Sequence, residues 1–196
     1  MLKELKYNEK IAALVVVFLI GISIGVISSF IVFQESGKSY LNLYCISNSK
    51  IIPVFDRDFY PVVMKALKNA NESIEIIAFK LSYYPKYRNS KENKLVWELI
   101  KARERGVKVR ILLDEYPNKN SAYSLLKSRG IDIKYDSKNV TTHAKVIIID
   151  GKIVILGSTN FSYYGLEKNH EANIYIESEE VAKAFRDYFE KLWKNS

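Results

Sequence analysis

His143 and Lys145 stand two residues apart, and Gly157, Ser158 and Asn160 follow within the next fifteen positions. Successive side chains of a strand alternate between faces, so positions i and i+2 project together. An imidazole and an ammonium would then share one side of an extended segment. The run Val146–Ile149 is apolar and β-branched, as in a strand covered on both faces. Asp150-Gly151 has hairpin chemistry, and residues 153–156 read as the returning strand. That return would carry Gly157, Ser158 and Asn160 back beside His143 and Lys145. A nucleophile, a fixed cation and small donors around one point suit a phosphoryl group. The predicted chemistry is on phosphodiesters.

The same residues form the pattern H-x-K-x4-D-x6-G-S-x-N, with His143, Lys145, Asp150, Gly157, Ser158 and Asn160 at its six fixed positions. The pattern resembles the signature of the phospholipase D superfamily, and Asn169 and Glu171 match that family's later Asn-x-Glu. The resemblance covers roughly residues 49–194, including the strand V-K-V-R-I-L-L-D before the motif. It implies an α/β fold, a mixed sheet with helices on both faces. It also implies that His143 attacks phosphorus and carries a phosphohistidine, with a second histidine protonating the leaving oxygen. Two-motif members supply that histidine from a second copy of the motif. This chain has one copy, so the resemblance implies a homodimer with His143 of each subunit facing one shared site.

Lys145, Ser158 and Asn160 are the expected phosphate-binding residues, with Lys145 and Asn160 counted among the catalytic ones. Glu171 is the expected orienter of the His143 imidazole, fixing its tautomer as in a catalytic triad. Asp150 has two readings, a turn residue or a catalytic carboxylate. His170 adjoins Glu171 and on an extended segment would point the other way, which marks it as a surface residue. Neither cofactor nor metal is expected, since no carboxylate pair or His/Cys set has ligand spacing.

Residues 11–33 are 23 consecutive uncharged positions. As a helix they would span roughly 34 Å, enough for a hydrocarbon core of about 30 Å. The run exceeds the core of a cleavable signal peptide, so it reads as an uncleaved single-pass transmembrane anchor. It follows a short polar tail, residues 1–10, and precedes a juxtamembrane linker, residues 34–48. Lys3, Lys6 and Lys10 lie before it, and Lys38 and Lys50 follow within reach. That three-to-two balance places the N-terminus in the cytoplasm and the catalytic domain, residues 49–196, outside. The lone Cys45 excludes an intrachain disulfide.

The whole chain carries 30 Lys+Arg against 22 Asp+Glu, a net charge of +8. Such a surface favours nucleic acid or an anionic bilayer over cationic partners. The segment 80–94 interleaves Tyr83, Tyr84 and Tyr87 with Lys80, Lys86, Arg88, Lys91 and Lys94. Cations tracking a backbone beside stacking rings suit single-stranded nucleic acid, and Tyr83, Tyr84, Lys86 and Arg88 are its candidate contacts. Tyr163 and Tyr164 would extend the rim. Single-motif relatives include small dimeric endonucleases, which makes nucleic acid the favoured substrate. The alternative is an anionic phospholipid, held close by the anchor, as in the family's cardiolipin-hydrolase branch. An inactive membrane scaffold is the remote third reading.

Periodicity predicts strands at 41–46, 74–79, 107–113, 131–135 and 172–177, and helices at 56–70, 91–105, 121–128 and 179–194.

Overall fold

The computed structural model describes residues 49–115 and 120–196, with Ile22 before them. The chain divides into two units, Met1–Tyr44 and Cys45–Ser196; apart from Ile22, the expected anchor at 11–33 lies outside the described residues, as does the expected strand at 41–46. Among those described, no helix is long and apolar enough to cross a membrane.

The sheet has seven strands: β1 (Lys50–Phe55), β2 (Ser73–Ala78), β3 (Lys108–Leu113), β4 (Asp132–Tyr135), β5 (Val146–Ile149), β6 (Ile153–Gly157) and β7 (Ala172–Glu177). Their spatial order is β1-β7-β6-β5-β2-β3-β4. The strands β2, β3 and β4 run parallel, whereas β5, β6, β7 and β1 form an antiparallel half joined at the β2–β5 pair. Helices α1 (Phe59–Lys68), α2 (Lys91–Glu104), α3 (Tyr123–Ser128) and α4 (Glu179–Lys194) complete the layers.

Alternation along the central strands sorts the core. Ile74, Ile76, Ile111, Leu113, Ile147 and Ile149 pack on one face with Val63, Leu67, Leu95 and Leu99 of α1 and α2. Ile77, Leu112, Val146 and Ile148 pack on the other with Val181, Ala182 and Phe189 of α4. Helices therefore cover both faces, as the central strands' continuous hydrophobicity requires. Ser90 caps α2 by accepting from Asn93 N, and Ser178 caps α4 by accepting from Val181 N. Gly106, with φ +94°, ends the loop out of α2.

Two elements differ from the sequence reading. β1 was not expected: it carries Pro53, and its apolar residues do not alternate. It is an edge strand, where a missing N–H is tolerated. A single π-helical turn, Tyr164–Lys168, follows the signature.

β5 is antiparallel to β2, so the start of β5, the end of β6 and the end of β2 meet at one edge of the sheet. Loops at the carboxyl ends of parallel strands are the usual ligand sites of open α/β folds.

Candidate active site

The backbone of the signature is a tight hairpin. Asp150 (φ +51°) and Gly151 (φ +61°) both take left-handed conformations, and residues 150–152 connect Ile149 to its strand partner Ile153, with Lys152 N donating to Ile149 O at 3.0 Å. The hairpin pairs Val146 with Leu156, and Gly157 N donates to Lys145 O at 3.3 Å. The ends of the two strands that carry the signature residues are thereby side by side.

His143 and Lys145 precede β5 rather than lie within it. They nevertheless converge on one ring: the Phe79 side chain lies 4.7 Å from the His143 ring and 5.1 Å below Lys145 Nζ. His143 is exposed and open to attack an incoming group. Lys145 is only 9% exposed, and its ammonium donates to His143 O at 2.6 Å. Burial pushes its pKa below the ordinary lysine value, and the nearby carboxylates of Glu171 and Asp114 pull it partly back. The result is an ammonium held between the His143 carbonyl and the Phe79 ring.

The segment leading into His143 is tied down from β3. Asp114, buried at the end of that strand, accepts from Thr142 N at 2.8 Å. The Thr142 hydroxyl donates to Asp136. Neither carboxylate was singled out from the sequence; the signal available was that Asp114 closes the apolar run V-K-V-R-I-L-L-D.

On the other side, Asn173 holds the Gly-Ser-Thr-Asn turn. Its amide oxygen accepts from Thr159 N at 3.2 Å, and its nitrogen donates to Thr159 Oγ1 at 2.8 Å. β7 passes so close that a Cβ at Gly157 would stand 2.4 Å from Ala172 O. Ser158 donates its hydroxyl proton to Glu171 and accepts from Ala172 N at 3.1 Å. Glu171 also accepts from Asn169 Nδ2 at 2.9 Å. Asn160 Oδ1 is buried with no hydrogen-bond partner among the described residues. Beneath it, a Cβ at Gly165 would lie 2.3 Å from Asn160 O; the π-helical turn and the signature turn touch backbone to backbone.

Thus His143, Lys145, Ser158, Asn160 and Glu171 gather at one end of β5 and β6. Among the described residues, the hydrogen bonds of the Glu171 carboxylate go to Ser158 and Asn169, not to His143. Asp150 is not brought to the site. It lies at the opposite end of β5, about 16 Å along the strand from Lys145. Its carboxylate accepts from the backbone N–H groups of Asn71, Glu72 and Ser73 at 2.8–3.2 Å. Of its two sequence readings, the turn residue describes this geometry. His170 is fully exposed, with Nδ1 3.2 Å from Asp56 Oδ2. The Asp56 carboxyl is held below its usual range, first by the Glu171 N–H at 2.7 Å and then by His170.

The basic tyrosine loop joins the site through the backbone: Phe161 N donates to Lys80 O at 3.1 Å and Ser82 N to Phe161 O at 2.9 Å. Tyr84, Lys86, Tyr87 and Arg88 then line a pocket of about 990 Å³ with Tyr163 and Tyr164. His143 and Lys145 are not among its walls; Tyr163 and Tyr164 bring it to the segment that directly follows the signature. Tyr83 departs from expectation. It packs against the core, with its N–H bonded to Ser121 Oγ at 2.8 Å. Among the described residues, no group of three His, Cys, Asp or Glu side chains is placed to hold a metal ion.

A family model described as "Cardiolipin synthase, PLD-like domain" matches residues 63–193. Phospholipase D of Rickettsia prowazekii is 32% identical over 91% of this chain and 90% of its own length. The mitochondrial cardiolipin hydrolase of Canis lupus familiaris is 31% identical over 67% of this chain, which spans 49% of that protein. Among solved structures, the phospholipase D family member Nuc of Salmonella typhimurium aligns with a TM-score of 0.65 at 25% identity, covering 75% of this chain and 95% of its own. NucT of Helicobacter pylori has the same fold, with a TM-score of 0.64 at 23% identity over 75% of this chain and 97% of its own. Fold, site and relatives define a hydrolase acting on phosphodiester bonds. The chain belongs to the phospholipase D superfamily.

Proposed function

We propose that this chain is a membrane-anchored endonuclease that cleaves single-stranded nucleic acid through a phosphohistidine, at a site completed by a second copy of itself. The observation that carries the substrate assignment is the pocket that Tyr84, Tyr87, Tyr163 and Tyr164 line with Lys86 and Arg88.

His143 attacks phosphorus, forming the N–P bond as the P–O bond to the leaving strand breaks. The leaving oxygen takes its proton from His143 of the facing subunit. That same imidazole then removes a proton from water, whose oxygen attacks phosphorus, breaks the N–P bond to free His143 and leaves a phosphomonoester end. Lys145 and the Asn160 amide stabilise the charge gathering on the non-bridging oxygens. Glu171 polarises the Ser158 hydroxyl, and its role as orienter of an imidazole falls on the facing subunit's histidine. Asp150 serves the fold. Residues 11–33 anchor the enzyme in the membrane, with the catalytic domain outside the cytoplasm.

A phospholipase reading is favoured by a different observation: the curated relatives named above are a phospholipase D and a cardiolipin hydrolase. The two readings share every catalytic residue and separate on substrate. The test offers the full chain single-stranded DNA, RNA, duplex DNA and anionic phospholipid vesicles, with the His143→Ala form as blank. Single strands are expected to be cut, also in EDTA. Turnover of vesicles alone would replace the nuclease assignment with the lipid one.

A further inference from the structure

Glu92, in the first turn of α2, also lines the tyrosine pocket. It is 1% exposed, and its Oε1 is buried without a hydrogen-bond partner among the described residues. An unsatisfied buried carboxylate oxygen is costly, and the helix does not need it, because Ser90 already supplies the cap. The neighbouring cation Lys91 is paired with Glu167 at 3.2 Å. A donor brought by a ligand would complete Glu92.

The walls say what kind of ligand. The rings of Tyr84, Tyr87, Tyr163 and Tyr164 line the pocket, with Lys86 over the Tyr87 ring and Lys168 over the Tyr163 ring; aromatic walls of this kind suit a planar group, as in single-strand sites. Lys86 and Arg88 are exposed on the rim, where they attract a phosphate and hold off an ammonium headgroup. A nucleotide satisfies both, with its base inward and its phosphate outward. Tyr163 is three residues from Asn160, so their α-carbons are at most ~11 Å apart, close enough for a nucleotide near the scissile bond.

A carboxylate only accepts hydrogen bonds, so it selects a base edge rich in N–H groups. Guanine presents two adjacent ones, N1–H and the N2 amine, matched to the two oxygens of one carboxylate. The amines of adenine and cytosine adjoin an acceptor ring nitrogen, and the N3–H of uracil or thymine lies between two carbonyls; each sets an acceptor against the carboxylate. We infer that the pocket is a guanine subsite in which Glu92 reads the base edge and the tyrosines stack on it. This rests on the nucleic-acid reading of the active site and adds a base preference to it. At its present exposure Glu92 is reached through side-chain rotamer changes in the wall, the common adjustment on binding.

The experiment measures anisotropy of labelled single-stranded oligonucleotides on the full-length His143→Ala chain, which binds without cutting. A thymidine strand with one central guanine is compared with the same strand carrying hypoxanthine, which lacks the N2 amine. The guanine strand is expected to bind at least about fivefold more tightly, the low end for one bidentate base contact. Adding Glu92→Gln should bring the two strands within about twofold. Equal binding of the two strands to the chain with Glu92 intact overturns the subsite, whether or not the Gln variant folds. A preference that persists in folded Glu92→Gln overturns the role of Glu92. Failure of the parent reading looks different: no strand binds, and the chain with His143 intact consumes only phospholipid vesicles. A strand that is cut without regard to guanine sinks the subsite and leaves the nuclease standing.

Discussion

Lys145 combines two demands that oppose each other, burial and charge. Burial holds its pKa below the ordinary lysine value of about 10.4, yet the ammonium must be protonated to meet a phosphate. Because the folded pKa is the lower one, charged Lys145 costs stability below it, and that cost is relieved as pH rises through it. Activity moves the other way. The alkaline limb of kcat/KM is therefore expected below the ordinary lysine range, while thermal stability does not fall through the same interval. A limb at or above that range would mean the amine is not the titrating group. Lys145→Ala should lower kcat by about 10²–10³-fold, the usual loss for one transition-state donor. His143→Ala should abolish turnover, whereas His170→Ala, at a fully exposed side chain, should keep most of it; comparable losses would refute the division of labour between the two histidines.

At the scale of elements, the signature hairpin has a chemical end and a structural end. Asp150 joins β5 to the start of β2 through three backbone donors, so Asp150→Ala should cost on the order of 1–3 kcal/mol in urea unfolding and spare kcat of the folded fraction. An intact stability with lost kcat would return Asp150 to the chemistry. Gly165 belongs to the opposite end. Its Cβ would collide with Asn160 O, so Gly165→Ala should shift the phosphate-binding turn and reduce kcat by about 10²-fold, the penalty of a displacement near 1 Å. Both are read from the same purified variants by unfolding and by steady-state rates.

For the whole molecule, one chain presents one exposed histidine at the site, and the proposed mechanism needs two. Specific activity should therefore fall on dilution as the pair separates, and a mixture of His143→Ala with unaltered chain should lose activity in proportion to the mixed pairs formed. A monomer with undiminished turnover would exclude the shared site. The net charge of +8 and the cationic rim make binding to a nucleic-acid strand fall steeply with salt.

The hairpin, the central strands and the gathering of the signature residues at one end of them were legible in the sequence because they depend on near neighbours: alternation, an Asp-Gly turn and a fixed spacing. The helices were legible by the same means, from periodic apolar faces. What local order cannot encode is which distant backbone a residue meets. Asp150 kept both a catalytic and a structural reading until the fold set it against residues 71–73, and Tyr83 looked like its neighbours until the fold packed it, half-buried, against the core. β1 escaped notice because only a partner strand makes an edge of it. Asp114, Gly165 and Glu92 acquire their roles from contacts with segments far along the chain or from the pocket those segments build, and only tertiary structure supplies those.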